Sequence, residues 1–113
     1  METFALAERD HGRRCREIAV TGELDMAVAD QLQAMIGAVG ESYERIAVNL
    51  GACEFIDSTA IAVVMRARQR LQAEGRRIFL CGPRDQVLRV LQMTGITDGD
   101  LVVESFGAAL AAS

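Results

Sequence analysis

Apolar residues recur along this chain with two periods, and each change of period marks a candidate element. Residues 4–10 (FALAERD) and 13–20 (RRCREIAV) are candidate strands, and His11-Gly12 between them favours a turn, so a hairpin is expected first. After the TGEL stretch, Asp25 can cap a helix that Gly40 is expected to end. The apolar residues of this helix recur at helical spacing and are Val28, Leu32, Met35, Ile36 and Val39.

Farther along, strands alternate with single helices. Residues 45–50 and 76–81 are short apolar runs of the kind found in buried strands, and they flank a helix expected over about residues 58–74. A third helix is expected to begin near Pro83 and to end near Gly95, followed by a strand at residues 101–105 (LVVES) and a short alanine-rich tail. This order predicts an α/β fold with a central, mostly parallel sheet of about five strands, an initial antiparallel hairpin and about four helices.

Length and composition limit the classes of protein to consider. The 113 residues suffice for one domain, expected to span residues 1–113, and a net charge of −4 gives no field that attracts nucleic acid or an anionic membrane. No apolar run approaches the roughly 20 residues that span a bilayer, so a cytoplasmic protein without membrane insertion is expected. Cys15, Cys53 and Cys81 are widely spaced and form no CxxC pair, which favours buried thiols over a disulfide or zinc site. No metal or cofactor is expected.

The helix from Ser58 has two contrasting sides when it is read at about 100° per residue. The expected core stripe is Ala60, Val63, Val64, Ala67 and Leu71. The opposite side carries Ser58, Ile61, Ala62, Met65 and Gln69. If the first stripe faces the sheet, a hydroxyl and three apolar side chains face outward together, as a docking surface requires. The alternative is that a neighbouring helix covers them.

Ser58 stands at the expected first turn of this helix, where unpaired N–H groups and the positive end of the helix dipole favour a phosphate. A phosphate would add about −1.5 to −2 charges, which a docked partner would have to desolvate. Position alone favours the simpler alternative that Ser58 or Asp57 is the N-cap. A nucleophilic serine would need a base, but His11 lies in a predicted turn and no GxSxG motif is present, so no enzyme is expected.

Three stretches carry a family resemblance: residues 20–25 (VTGELD), 48–64 (VNLGACEFIDSTAIAVV) and 88–98 (LRVLQMTGITD). With the order of strands and helices, they make nearly the whole chain similar to a STAS domain, most closely to the bacterial anti-sigma factor antagonists, or anti-anti-sigma factors. The Asp-Ser-Thr motif at residues 57–59 is the most specific part of this resemblance.

The resemblance implies a partner switch in transcription. The unphosphorylated protein would bind an anti-sigma factor that is also a serine kinase, and so release the sigma factor. The kinase would phosphorylate Ser58 with ATP, and the phosphorylated protein would dissociate from it. A phosphatase would then remove the phosphate and restore binding. Thr59 is a second possible acceptor, although its position favours a helix cap. Ala60 stands where the family usually has glycine, which should strengthen the helix start by up to about 1 kcal/mol and stiffen the loop that the kinase remodels.

The resemblance also implies a docking surface, and a monomer or weak dimer is expected. Its residues by position are Gly22, Glu23, Asp25, Asp57, Ser58, Thr59, Ile61, Ala62, Met65 and Val90. The alternative function is a STAS subunit of a lipid or anion transport complex that docks without phosphorylation. A hydrolase that uses Ser58 ranks third.

Overall fold

In a computed structural model that describes residues 4–12, 14–96 and 100–112, the chain forms one five-stranded sheet flanked by four helices. The first two strands pair antiparallel and the later pairs are parallel, in the spatial order β1-β2-β3-β4-β5. The predicted fold class and order of elements are therefore confirmed. The elements are β1 (Ala5–Asp10), β2 (Cys15–Leu24), α1 (Met26–Gly37), β3 (Arg45–Ile56), α2 (Ser58–Ala73), β4 (Arg77–Cys81), α3 (Asp85–Met93), β5 (Val102–Val103) and α4 (Phe106–Ala111).

The sheet is packed on both faces because successive side chains of its strands point to opposite sides. Ile46 and Val48 of β3 belong to the larger buried cluster, which includes residues of α1, α2 and α3. Ala47, between them, belongs to a smaller cluster with Phe79 of β4 and Ala109 of α4. Since α1 and α2 each follow a parallel strand, both helices begin at the carboxyl edge of the sheet.

The expected hairpin of β1 and β2 is confirmed, but β2 continues through the TGEL stretch to Leu24, four residues past the predicted end of that strand. The pairing of β2 with β3 shifts register between Ala19 and Thr21 and again between Gly22 and Glu23. Gly22 has a φ of 91°, a left-handed conformation that glycine adopts without a side-chain penalty. The same pairing extends β3 to Ile56, well past the predicted end at residue 50.

Other predicted boundaries were wrong by a few residues. α1 ends at Gly37 and not at Gly40, and α3 begins at Asp85 after its N-cap Arg84, two residues beyond Pro83. The last strand has only two residues instead of five. Residue 13 of the second predicted strand, and residues 97 and 98 of the third stretch that carries the resemblance, lie outside the described residues. In the described part of the chain no helix has the length and apolar character needed to cross a membrane.

Candidate functional site

Two helices begin side by side at the carboxyl edge of the sheet. β2 and β3 end in register, so Asp25 and Asp57, which follow them directly, reach the edge at the same level. Asp25 caps α1 by accepting a hydrogen bond from the N–H of Ala27 at 3.0 Å. Asp57 caps α2 by accepting one from the N–H of Ala60, also at 3.0 Å. The cap expected at Asp25 is thus confirmed, and the two helix starts have nearly the same geometry.

Asp57 also connects the two helices. Its Oδ2 accepts a hydrogen bond from the N–H of Met26, the first residue of α1, at 2.8 Å. Its own backbone N–H donates to the carbonyl oxygen of Leu24 at 3.2 Å. One carboxylate therefore lies between the positive ends of two helix dipoles, where a negative charge is stabilised. Within the described residues, Asp25 makes no corresponding hydrogen bond to α2.

Ser58 is the first residue of α2, and its side chain is free for chemistry. It is exposed, and its hydroxyl makes no hydrogen bond to any residue that the structure describes. The sequence left open whether Ser58 or Asp57 is the N-cap of this helix. The N-cap is Asp57 and not Ser58. Thr59 is also exposed and makes no cap hydrogen bond, so the prediction that Thr59 caps the helix is wrong.

Two exposed residues with large apolar side chains, which the sequence did not single out, stand near the two helix starts in the chain. Met26 is 72% exposed and Phe55, the penultimate residue of β3, is 44% exposed. On α2 itself, Ala62 and Met65 are half-buried. The available signal was positional, since Met26 follows one capping aspartate directly and Phe55 stands two residues before the other. We call Met26, Ser58, Ala62 and Met65 the edge surface.

The outward orientation predicted for Ile61 is wrong. Ile61 is only 7% exposed and belongs to the main core cluster. It lies about 60° around the helix from Val64, so the buried arc of α2 is wider than the predicted stripe. The five residues of that predicted stripe are all buried, as expected. Gly22, another predicted docking residue, is also buried, inside β2, whereas Glu23 and Val90 are half-buried.

Ala60, the position where the family usually has glycine, is fully buried in the first turn of α2. Its N–H is the group that Asp57 caps. The methyl group therefore belongs to the core and lies away from the exposed hydroxyl of Ser58. Only the backbone of residue 60 takes part in the helix start.

The remaining reactive side chains lie elsewhere. His11 follows β1 at the opposite end of the sheet from Ser58, with its Nε2 2.5 Å from Oε1 of Glu17, so it does not serve Ser58 as a base. All three cysteines are buried and free, and burial raises their pKa, that of Cys81 to about 12, which disfavours the reactive thiolate. Across the described ranges, no group of three or more histidine, cysteine or carboxylate side chains could hold a metal ion.

A sheet with one antiparallel and several parallel pairs, four flanking helices and an exposed hydroxyl at the start of the second helix defines a small α/β domain of the STAS class. The family model described as "Mlab, STAS domain" matches residues 7–104 of the sequence. This chain therefore belongs to the STAS domain family.

Named relatives in this family are anti-sigma factor antagonists. The chain is 26% identical over 83 residues to the anti-sigma-B factor antagonist of Staphylococcus aureus, a match that covers 73% of this chain and 77% of that protein. The anti-sigma factor antagonist SpoIIAA in its unphosphorylated form matches with a TM-score of 0.75 and 25% identity, over 88% of this chain and 86% of that one. Both relatives are thus named for antagonism of an anti-sigma factor.

Two further structures have the same fold. The Bacillus protein SpoIIAA in its phosphorylated form matches with a TM-score of 0.70 and 25% identity, over 88% of this chain and 89% of that one. An anti-sigma factor antagonist from Mycobacterium paratuberculosis matches with a TM-score of 0.84 over 96% of this chain and 92% of that one; at 24% identity this likeness concerns the fold.

Proposed function

We propose that this protein is a cytoplasmic anti-sigma factor antagonist that is switched by phosphorylation. Its unphosphorylated form binds an anti-sigma factor serine kinase and releases the sigma factor, and phosphorylation of Ser58 ends the binding. The observation that carries the proposal is the exposed Ser58 hydroxyl, free of hydrogen bonds to described residues, near the exposed residue Met26, whose N–H donates to the neighbouring Asp57. The relatives named as antagonists, and SpoIIAA in its two phosphorylation forms, support it.

The start of α2 can tolerate a phosphate without unfolding. The first backbone bond within the helix runs from the N–H of Ile61 to the carbonyl oxygen of Asp57. The N–H groups of Ser58 and Thr59 precede that bond, and the N–H of Ala60 already serves the Asp57 carboxylate. Two N–H groups and the helix dipole therefore remain to stabilise a phosphate at Ser58. We expect the phosphorylated protein to keep its fold.

A docked partner would tolerate the same group poorly. Changing a partner from about 99% bound to about 1% bound requires about 5.5 kcal/mol of differential affinity. Burying one unpaired charge at an interface costs on the order of 2–5 kcal/mol, and a phosphate carries nearly two charges. One phosphate at Ser58, a residue of the edge surface, is therefore close to sufficient for the whole switch.

The chain supplies only the acceptor for the covalent step. The Ser58 oxygen attacks the γ-phosphorus of ATP bound by the partner kinase, the bond from that phosphorus to the bridging oxygen of ADP breaks, and the hydroxyl proton passes to a base of the kinase. A phosphatase later transfers the phosphoryl group to water and restores the serine. Because His11 lies at the other end of the sheet, we assign no base to this chain.

The test is capture of partners from native extract on four immobilised baits: wild type, Ser58→Ala, Ser58→Asp and the control Ser42→Asp. Ser42 is an exposed serine in the loop before β3, at the opposite end of that strand from Ser58. We expect wild type, Ser58→Ala and Ser42→Asp to retain one ATP-binding, kinase-like protein that Ser58→Asp loses.

Two outcomes would contradict the proposal. One is equal retention of that protein by the wild type, the Ser58→Asp bait and a fifth bait that carries authentic phosphoserine at residue 58. The other is retention of a membrane transporter by all four baits, which would favour the role of a docking subunit in a transport complex. Incubation of the captured kinase with ATP and the baits, followed by mass spectrometry, should place the phosphate on Ser58 and leave Ser58→Ala unmodified.

A further inference from the structure

Asp57 makes contacts that a simple helix cap does not need. Its Oδ1 accepts from the N–H of Ala60 in its own helix, whereas its Oδ2 accepts from the N–H of Met26, which is 31 residues earlier in the chain. Both carboxylate oxygens are therefore engaged, one within α2 and one at the start of α1. The next residue after this carboxylate is the candidate phosphorylation site, Ser58.

We propose that Asp57 is a positioning residue that transmits the charge state of Ser58 to the start of α1. A negative charge on residue 58 repels the Asp57 carboxylate and weakens its hydrogen bond to Met26, which releases the first residue of α1. This inference rests on the proposed function in one respect, that Ser58 is the residue that acquires the charge.

The Met26 bond is the contact expected to yield. The bond from Ala60 lies inside the first turn of α2, where the helical backbone holds donor and acceptor close together. The bond from Met26 joins two separate helices, so a small displacement of the carboxylate breaks it without unwinding either helix. Asp25 meanwhile keeps its bond to Ala27, so α1 retains its own cap and only its first residue is released.

The release would change the edge surface at a second point. Met26 is 72% exposed, and among the hydrogen bonds of the described residues the one that joins it to the start of α2 is its N–H bond to Asp57. A charge on residue 58 would then alter the partner's contacts with α1 as well as those with α2. The switch would act on both sides of the surface, although only one residue is modified.

The test is a set of amide NMR spectra that needs no partner. Ser58→Asp adds the charge, and Ser58→Asn is its neutral control of the same shape. Each is recorded in the wild-type background and in an Asp57→Ser background, where serine can still cap α2 but is too short to reach Met26. We expect Ser58→Asp to shift the amide proton of Met26 upfield as the hydrogen bond weakens, and Ser58→Asn to leave it in place. In Asp57→Ser, the amide should already be shifted, and Ser58→Asp should move it no further.

The amide of Ala27, bonded to Asp25, is the internal reference and should stay in place throughout. The proposal is overturned if Ser58→Asp leaves the chemical shift of the Met26 amide proton unchanged. It is also overturned if Ser58→Asp causes the same shift in the Asp57→Ser background, because the charge would then act on Met26 without Asp57. Should Asp57→Ser fail to fold, Asp57→Asn keeps an oxygen for the Ala60 cap, removes the charge and serves as the second background. These spectra are independent of partner capture. Transmission through Asp57 can therefore fail while the proposed function stands, and the proposed function can fail while transmission through Asp57 stands.

Discussion

Replacing Asp57 with alanine should destabilise the protein more than replacing Asp25, although both residues cap a helix. Loss of an aspartate N-cap costs about 1 kcal/mol, and each replacement removes one such cap. Asp57→Ala also removes the acceptor for the N–H of Met26. A hydrogen bond to a charged group contributes about 1.5–3 kcal/mol, and a partly exposed carboxylate belongs at the low end of that range. We therefore expect a loss of about 1 kcal/mol for Asp25→Ala and about 2.5 kcal/mol for Asp57→Ala.

These free energies correspond to melting temperatures that are easily distinguished. The entropy of unfolding is about 2.1 cal/mol/K per residue near 60 °C, or roughly 0.24 kcal/mol/K for a chain of 113 residues. A loss of 1 kcal/mol therefore lowers the midpoint by about 4 °C. Asp25→Ala should melt about 4 °C below the wild type and Asp57→Ala about 10 °C below it.

The assay is thermal and urea unfolding followed by circular dichroism on wild type, both alanine variants, Asp25→Ser and Asp57→Ser. Serine keeps each cap, so Asp25→Ser should match the wild type, whereas Asp57→Ser loses the bond to Met26 alone and should fall between wild type and Asp57→Ala. Equal losses for the two alanine variants, or wild-type stability for Asp57→Ser, would show that the bond between the two helix starts adds no stability.

Three further changes test other parts of the molecule. Arg76 is nearly buried and donates hydrogen bonds to backbone carbonyl oxygens of the loop after α1. Arg76→Met should therefore lower the free energy of unfolding, measured by urea denaturation, by about 2–4 kcal/mol. An unchanged urea midpoint would count against this prediction. Burial raises the pKa of Glu17, but hydrogen bonds from Asn49 and His11 outweigh this effect and hold the pKa below the ordinary 4.5. The ionised carboxylate therefore stabilises the fold, and the stability lost in Glu17→Gln should shrink as the pH falls below that value. A stability difference that does not change with pH would refute this prediction. Because Met26 is 72% exposed, Met26→Ala should change the melting temperature by no more than about 3 °C. The same substitution should weaken binding of the captured partner at least about tenfold. An unchanged affinity would show that Met26 is not part of the edge surface.

The order of elements could be predicted from sequence because α1, α2 and α3 each have a local period and a local stop signal. Five of five positions in the core stripe of α2 are buried as predicted, since a helix against a sheet buries residues at fixed angular spacing. The lengths of β2 and β3 could not be predicted in this way. The segment from Thr21 to Leu24 reads locally as a turn, and it becomes a strand only because residues 52–56 of β3 lie alongside it.

The same distinction explains what the sequence missed at the site. Ser58 and Asp57 belong to one local motif, so their position at a helix start could be predicted. The bond from Asp57 to Met26 joins residues from different parts of the chain, and no local pattern contains it. Ile61 was misplaced for a related reason, because its burial depends on how far the core extends around α2. The candidate site is thus defined by the register of β2 and β3, which brings two helix starts to one level. A partner that docks at Ser58 must consequently meet the start of α1 as well, and substitutions at Met26 should affect binding even though Met26 lies outside the Asp-Ser-Thr motif.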